Sequence, residues 1–228
     1  LDPKGSRKSR LFRQPIRSTF QLRPESKHMA EENWLLCAAG DWPSKTIWEP
    51  LSQSANRIVG VDGGTDIALS VGLDVNLALG DFDSIENESV ERHELPDQNR
   101  SDLLKSLEYA ASKGVSTVNV VGIEGGDVNH QLATFAALVE APTELEVNLH
   151  LNEHVVMRCL DQLNLWLESG TNLSLFAFTS CVHVSISGVE YPLHEEALAF
   201  STRGLHNVAL GGEVNIQTDG VLVVLIDQ

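Results

Sequence analysis

Four short apolar runs, each breaking into glycine and a carboxylate, constrain this chain more than any other feature. They are Trp34–Ala39 before Gly40-Asp41, Arg57–Val61 before Asp62-Gly63-Gly64, Asn76–Leu79 before Gly80-Asp81, and Val118–Val121 before Gly122 and Glu124-Gly125-Gly126-Asp127. Continuous apolar runs of this length read as strands buried on both faces. Helical patterns lie between them: Thr65 to Val71, stopped by Gly72, and His130 to Val139. The clearest helix has Ser101 as N-cap, Asp102 in its first turn, an apolar face of Leu103, Leu104, Leu107, Ala110 and Ala111, and Gly114 as its stop. Leu145 to Leu151 adds a further strand. Strand–helix alternation of this kind predicts a Rossmann-like parallel α/β sheet, although neither a P-loop nor a G-x-G-x-x-G occurs.

In open α/β sheets, ligands bind beyond the carboxyl ends of the strands. Asp41, Asp62, Asp81, Asp83 and Asp127 are therefore expected on one rim. The sharpest of these loops is Gly80-Asp81-Phe82-Asp83-Ser84. If it is extended, residues i and i+2 point the same way, so Asp81 and Asp83 face one cation while Phe82 turns to the core. Hard oxygen ligands with positions left open suit Mg²⁺ carrying substrate phosphates. Taken alone, the pentapeptide reads equally well as a turn with solvated aspartates.

After residue 153 the pattern changes to short alternating runs, Leu173–Phe178, Val182–Ile186, Val214–Ile216 and Val221–Ile226, separated by Ser-Gly, Gly-Gly and Asp-Gly turns. This predicts a small antiparallel β-sandwich or barrel. The chain thus divides into residues 1–28, an α/β unit over 29–153, and a β unit over 154–228.

The formal charge of −16 is uneven: residues 1–28 carry eight Lys/Arg against two acids, a net of +6, which leaves −22 on the rest. The basic segment lacks apolar periodicity and reads as a disordered leader. A transit peptide is one reading; a cloning-derived leader joined at His28-Met29 is the favoured one. So acidic a body argues against nucleic acid and anionic membrane as partners, and for metal-assisted capture of an anionic substrate. Three widely spaced cysteines, Cys37, Cys159 and Cys181, without C-x-x-C, predict buried thiols in a reducing compartment; a cytoplasmic protein is expected.

In sequence order, several of these pieces resemble the thiamine pyrophosphokinase family. Asp62-Gly63-Gly64 and Gly80-Asp81-Phe82-Asp83-Ser84 are similar to its strand-end motifs. Asp97-Gln98-Asn99-Arg100-Ser101-Asp102-Leu103-Leu104-Lys105 is similar to its Asp-Gln-x-x-Thr-Asp-x-x-Lys stretch, with Ser101 for Thr. The tail resembles its second domain through Ser187-Gly188-Val189-Glu190-Tyr191-Pro192-Leu193, Leu198-Ala199-Phe200 and Gly204-Leu205-His206-Asn207. The resemblance implies an α/β nucleotide domain joined to a β-sandwich, and a homodimer with its active site at the interface. The implied reaction transfers the terminal diphosphoryl group of ATP to the hydroxyl of thiamine, releasing AMP. Asp81, Asp83 and Asp102 would bind Mg²⁺ and act in catalysis. Asp62, Gly63, Gly64, Gln98, Ser101, Lys105, Gly126, Asn129 and His130 would hold ATP and its phosphates, and His206 with Asn207 would contact thiamine.

One loop departs from the resemblance. Where the family has Gly-Gly-Arg-x-Asp-His, this chain has Gly125-Gly126-Asp127-Val128-Asn129-His130. Either Arg100 or Arg203 compensates, or Asp127 joins the cation site, or catalysis is lost or redirected. His206, where the family often has Ser, is a second departure. A related diphosphokinase acting on another alcohol, such as a hydroxymethylpterin, and a non-catalytic thiamine- or nucleotide-binding protein therefore stand as alternatives.

Overall fold

A computed structural model describes residues 21–22, 32–82, 85 and 89–228. The predicted parallel sheet is present. Strands β2 (Asn33–Cys37), β3 (Arg57–Val61), β4 (Leu77–Gly80), β5 (Arg92–Glu94), β6 (Thr117–Val121) and β7 (Glu146–His150) run parallel in the order β7-β6-β2-β3-β4-β5. Helices cover both faces. Helix α1 (Lys45–Ser54) and helix α2 (Gly64–Ser70) bury Trp48 and Ala68 against Leu35, Cys37 and Val121 on one face. On the other, α3 (Asp102–Ser112) and α4 (Val128–Glu140) pack Leu103, Leu104, Leu107, Ala137 and Leu138 against Leu36, Val59, Leu79 and Val120. Adjacent strand residues thus face different helix layers, and that is why these strands are apolar throughout.

The second half does not begin a new sheet. Strand β8 (His154–Cys159) turns back on β7, with Leu151 N–H donating to His154 O at 2.8 Å, and pairs with it antiparallel. Strands β15 (Leu222–Asp227), β10 (Asn172–Ala177) and β13 (Asn207–Val208) then extend the sheet to ten strands. A five-stranded sheet, β1-β9-β14-β11-β12, covers one face of this extension. Its members are β1 (Gln21–Leu22), β9 (Gln162–Leu167), β11 (Cys181–Ser187), β12 (Leu193–Leu198) and β14 (Gly212–Gln217). Met157, Leu175 and Val224 meet Leu165, Ile186 and Val214 between the two layers. No described helix is long and apolar enough to cross a membrane.

One polar device joins the halves, and a second ties strands of the α/β sheet together. Arg158 of β8 reaches across to donate to Ala141 O at 2.5 Å, Leu145 O at 3.0 Å and Pro142 O, which satisfies carbonyls left over where α4 ends. Beneath the sheet rim, His150 Nε2 pairs with Asn119 Oδ1 at 2.9 Å, and Asn119 Nδ2 donates to Asn33 Oδ1 at 2.9 Å. All three cysteines are buried and free; burial pushes the Cys37 and Cys159 thiols up to about 12, so they behave as apolar side chains.

Burial pushes the His150 imidazole down from 6.5 to about 4, partly opposed by side-chain hydrogen bonding with Gln228, which favours the charged ring. A histidine that is neutral when folded binds fewer protons than the unfolded chain, so stability falls as pH drops from 6.5 towards 4. Unfolding in urea across that window is expected to show His150 contributing up to about 3 kcal/mol of the loss. The difference between the parent and His150→Gln isolates the term: the variant's stability should fall less steeply over the same window.

Candidate active site

The carboxyl ends of β2, β3 and β6 and the first turns of α3 and α4 enclose a cleft of about 500 Å³, lined by Gly40, Asp62, Ser101, Asp102, Glu124, Gly126 and His130 among others. Close backbone approach builds its floor. A Cβ on Gly64 would lie 2.1 Å from Cys37 O and 2.6 Å from Ala38 C, so only glycine lets the start of α2 reach the end of β2. Gly122 is held equally close to Ala38 O. Gly40 N–H donates to Gly122 O at 2.6 Å and Asp41 N–H to Glu124 O at 2.8 Å, which locks the two loops together.

Asp62 follows β3 with φ +49, a left-handed conformation that aspartate tolerates better than most residues. Its N–H donates to Leu79 O at 2.7 Å and its carbonyl accepts from Thr65 at 3.0 Å, so the residue turns the chain directly into α2, whose cap is Gly63. Gly80 packs against its side chain, which sets Asp62 beside the start of the next loop.

In that loop, Asp81 Oδ2 accepts from Gln98 Nε2 at 3.2 Å. Phe82 is not extended. Its φ is +66, and Arg92 lies 5.3 Å from its ring centre. The extended geometry used to face residues 81 and 83 the same way therefore does not hold here, and Phe82 is half-buried rather than a core side chain. Asp83 and Ser84 lie outside the described residues.

Ser101 caps α3 as its sequence position predicts, accepting from Leu104 N at 3.2 Å. Ahead of it, Asp97 accepts from Asn99 N–H at 2.9 Å; this bond, joined by the Asn99 side-chain amide and by Arg100, holds its carboxyl below the ordinary range. Asp102 lines the cleft, whereas Lys105 is buried, paired with Asp102 Oδ1 at 2.8 Å and donating to Leu95 O at 2.7 Å.

Asp127 is the N-cap of α4: its Oδ1 accepts from Asn129 N at 2.8 Å. The carboxylate that stands where the family has arginine thus serves its own helix. Gly126 and His130 line the cleft, and Asn129 is exposed beside them. Arg100 pairs with Glu108 and Arg203 with Glu196, so both arginines considered as compensation are engaged on the chain's own carboxylates. No Lys or Arg lines the cleft among the described residues.

His206 sits elsewhere, with φ +55 and its N–H on Ser174 Oγ at 3.1 Å. It borders a second cavity of about 590 Å³, shared with Glu153, His154, Phe176, Leu205 and Asp227, where His154 Nε2 meets Asp227 Oδ1 at 3.3 Å. Asn207 is buried; its amide donates to Tyr191 O at 2.7 Å and accepts from Tyr191 N at 3.0 Å and Val208 N at 2.9 Å. Its side chain is spent holding the 188–192 loop. Glu124 and Asp227 were not singled out by sequence reasoning. Glu124 sits in the Gly-rich loop, but Asp227 stands near the chain end with no motif around it.

Residues 48–150 match the family model described as the thiamin pyrophosphokinase catalytic domain. That match covers less than half of the chain and marks the region from α1 to β7 as similar to that catalytic domain. The thiamine pyrophosphokinase of Bacillus subtilis is 26% identical over 149 residues, 60% of this chain and 70% of that one. Solved structures agree in fold across both halves. Thiamin pyrophosphokinase from Geobacillus thermodenitrificans superposes with a TM-score of 0.71 at 16% identity, covering 86% of this chain and 97% of that one. The enzyme from Candida albicans gives 0.70 at 11% identity, covering 94% and 99%.

The capping role of Asp127 carries a stability prediction. Urea denaturation should show Asp127→Ala and Asp127→Arg each less stable by about 1 kcal/mol, whereas Asp127→Asn stays within a few tenths. Equal stability of all four proteins would remove the cap as the reason for this residue.

Proposed function

We propose that the chain is an ATP-dependent thiamine diphosphokinase, forming thiamine diphosphate and AMP. The observation that carries this reading is the rim itself. Asp62, Asp81 and Asp102 stand at the ends of β3 and β4 and the start of α3, inside the region that matches the family's catalytic domain. A triphosphate reaching a cleft lined by carboxylates must arrive with its charge neutralised. Mg²⁺ fits the donor set. Among the described residues no three His, Cys, Asp or Glu side chains form a ready-made cage, and Mg²⁺ is held in such enzymes by one or two carboxylates together with phosphate oxygens. Asp81 and Asp102 would hold it, with Asp62 beside them and Asp83 as the further carboxylate of the motif. Bound there, the ion supplies charge neutralisation along the triphosphate.

The residues of the chain do the positioning. Gln98 fixes Asp81, the Ser101 cap sets the start of α3, and His130 faces the phosphates from α4. The thiamine hydroxyl oxygen attacks the β-phosphorus of ATP. The bond from that phosphorus to the α–β bridging oxygen breaks, and AMP leaves with its electron pair. The hydroxyl proton passes to a rim carboxylate.

The second cavity supports the acceptor half of this reading. Glu153 and Asp227 offer negative charge and Phe176 an aromatic face to an organic cation such as thiamine. Three to five strand spacings separate β15, in the middle of that cavity, from β6, β2 and β3 at the cleft, or roughly 14–24 Å along the sheet. In-line attack needs reacting atoms about 3–3.5 Å apart. One chain does not bring its own cavity to its own cleft, so a homodimer pairing the cavity of one copy with the cleft of the other is part of the proposal. The buried, free thiols fit a cytoplasmic location.

Incubating the protein with ATP, Mg²⁺ and thiamine should yield AMP and thiamine diphosphate in equal amounts. Asp81→Asn should lower the rate by at least about a hundredfold. Product formation only with a hydroxymethylpterin, or nucleotide binding with no AMP, would replace this reading.

A further inference from the structure

Lys105 is an uncommon lysine. Its position, three residues after Asp102 at the end of the Asp97–Lys105 motif, suggests an ammonium reaching for phosphate, yet it is only 6% exposed and borders a different surface hollow from the cleft. Its ammonium makes two contacts: the Leu95 carbonyl at 2.7 Å and Asp102 Oδ1 at 2.8 Å. Asp102 Oδ1 is itself buried, and it meets the ammonium as an ion pair rather than as an aligned hydrogen bond. Leu95 continues the link, because its N–H donates to Gly80 O at 2.9 Å. Gly80 is the residue directly before Asp81.

The contacts therefore run from Asp102 through Lys105 and Leu95 to the peptide that aims Asp81. We infer that Lys105 is a positioning residue for the cation site, bracing Asp102 against the Asp81 loop, and does not touch phosphate. This rests on the reading of Asp81 and Asp102 as carboxylates that hold the cation. A buried ammonium between a carbonyl and a carboxylate is stable only while both partners stay in place, so the brace is rigid where a solvated lysine would be mobile. It occupies Oδ1 and leaves Oδ2 as the oxygen Asp102 presents to the cleft. Partners that orient a ligating carboxylate act on metal affinity even though they never contact the metal. A phosphate ligand would act on nucleotide affinity instead.

Mn²⁺ titration monitored by electron paramagnetic resonance, without nucleotide, separates the two. Lys105→Met is expected to weaken Mn²⁺ binding about tenfold or more. The Michaelis constant for ATP at saturating metal should move less than about threefold. Lys105→Arg, which keeps the cation, should recover part of the Mn²⁺ affinity, and adding Lys105→Met to Asp102→Asn should cost little more than Asp102→Asn alone, because Lys105 acts through Asp102. A fold-only role would leave Mn²⁺ affinity unchanged. The unsubstituted protein provides a check that needs no variant: Lys105 should resist an amine-acetylating reagent equally with and without MgATP. Labelling that MgATP blocks would make Lys105 a phosphate ligand and overturn the inference. Mn²⁺ binding by Lys105→Met equal to that of the parent would overturn it alone, whereas a parent that binds no Mn²⁺ would overturn both it and the reading of the cation site.

Discussion

The antiparallel pairing of β8 with β7 is the contact on which the rest of the molecule depends. It converts a parallel sheet into an antiparallel one without interrupting the hydrogen-bond ladder, with Asn148, Leu149 and His150 opposite Met157, Val156 and Val155. The carboxyl ends of the parallel strands and the near ends of β8, β10 and β15 therefore share one edge. The catalytic-type cleft and the Phe176 cavity both lie along it, in fixed relation. The same strand also steadies the cleft wall, because Arg158 of β8 closes the end of α4, whose other end carries Asp127 and His130.

Along that edge the chemistry is set by an unusual charge balance. Several basic side chains are occupied by the chain's own carboxylates: Lys105 by Asp102, Arg100 by Glu108 and Asp97, and Arg203 by Glu196. The exposed pairs contribute little to stability, but they describe where the positive charge goes. A family arginine has become a helix cap at Asp127, so this position contributes order at the start of α4 instead of charge. The proposed function then places phosphate neutralisation on bound cations, and the geometry of the carboxylates matters more than it would beside a cluster of arginines.

Much of this architecture is legible in the residues. Strands buried on both faces declare themselves as unbroken apolar runs, and Ser101 and Gly114 bracket α3 as capping chemistry requires. What the local pattern does not contain is which sheet a strand joins. The run over β15 is continuous because that strand serves two layers, whereas β14 alternates because it serves one, and only the assembled sheet reveals the difference. Helix α1 is hidden by Pro50 within it. The site shows a similar division. Asp62, Asp102, Ser101 and His130 follow from strand ends and helix starts, but Phe82 takes a left-handed turn that no alternation rule anticipates. Asn207 and Lys105 sit in motif positions that suggest ligands, and their buried side chains bind the chain itself.

The central claim is that two pockets on one sheet edge, too far apart within a chain, form one site between two copies. Mixing two inactive variants tests it most directly: Asp102→Ala, which damages the cleft, and Phe176→Glu, which blocks the cavity while leaving the cleft intact. After dissociation and reassociation at equal amounts, a random mixture should recover about a quarter of the parent activity, because half the dimers are mixed and each carries one intact site. Recovery of no activity, from a mixture shown to have exchanged subunits, would contradict a site shared between copies.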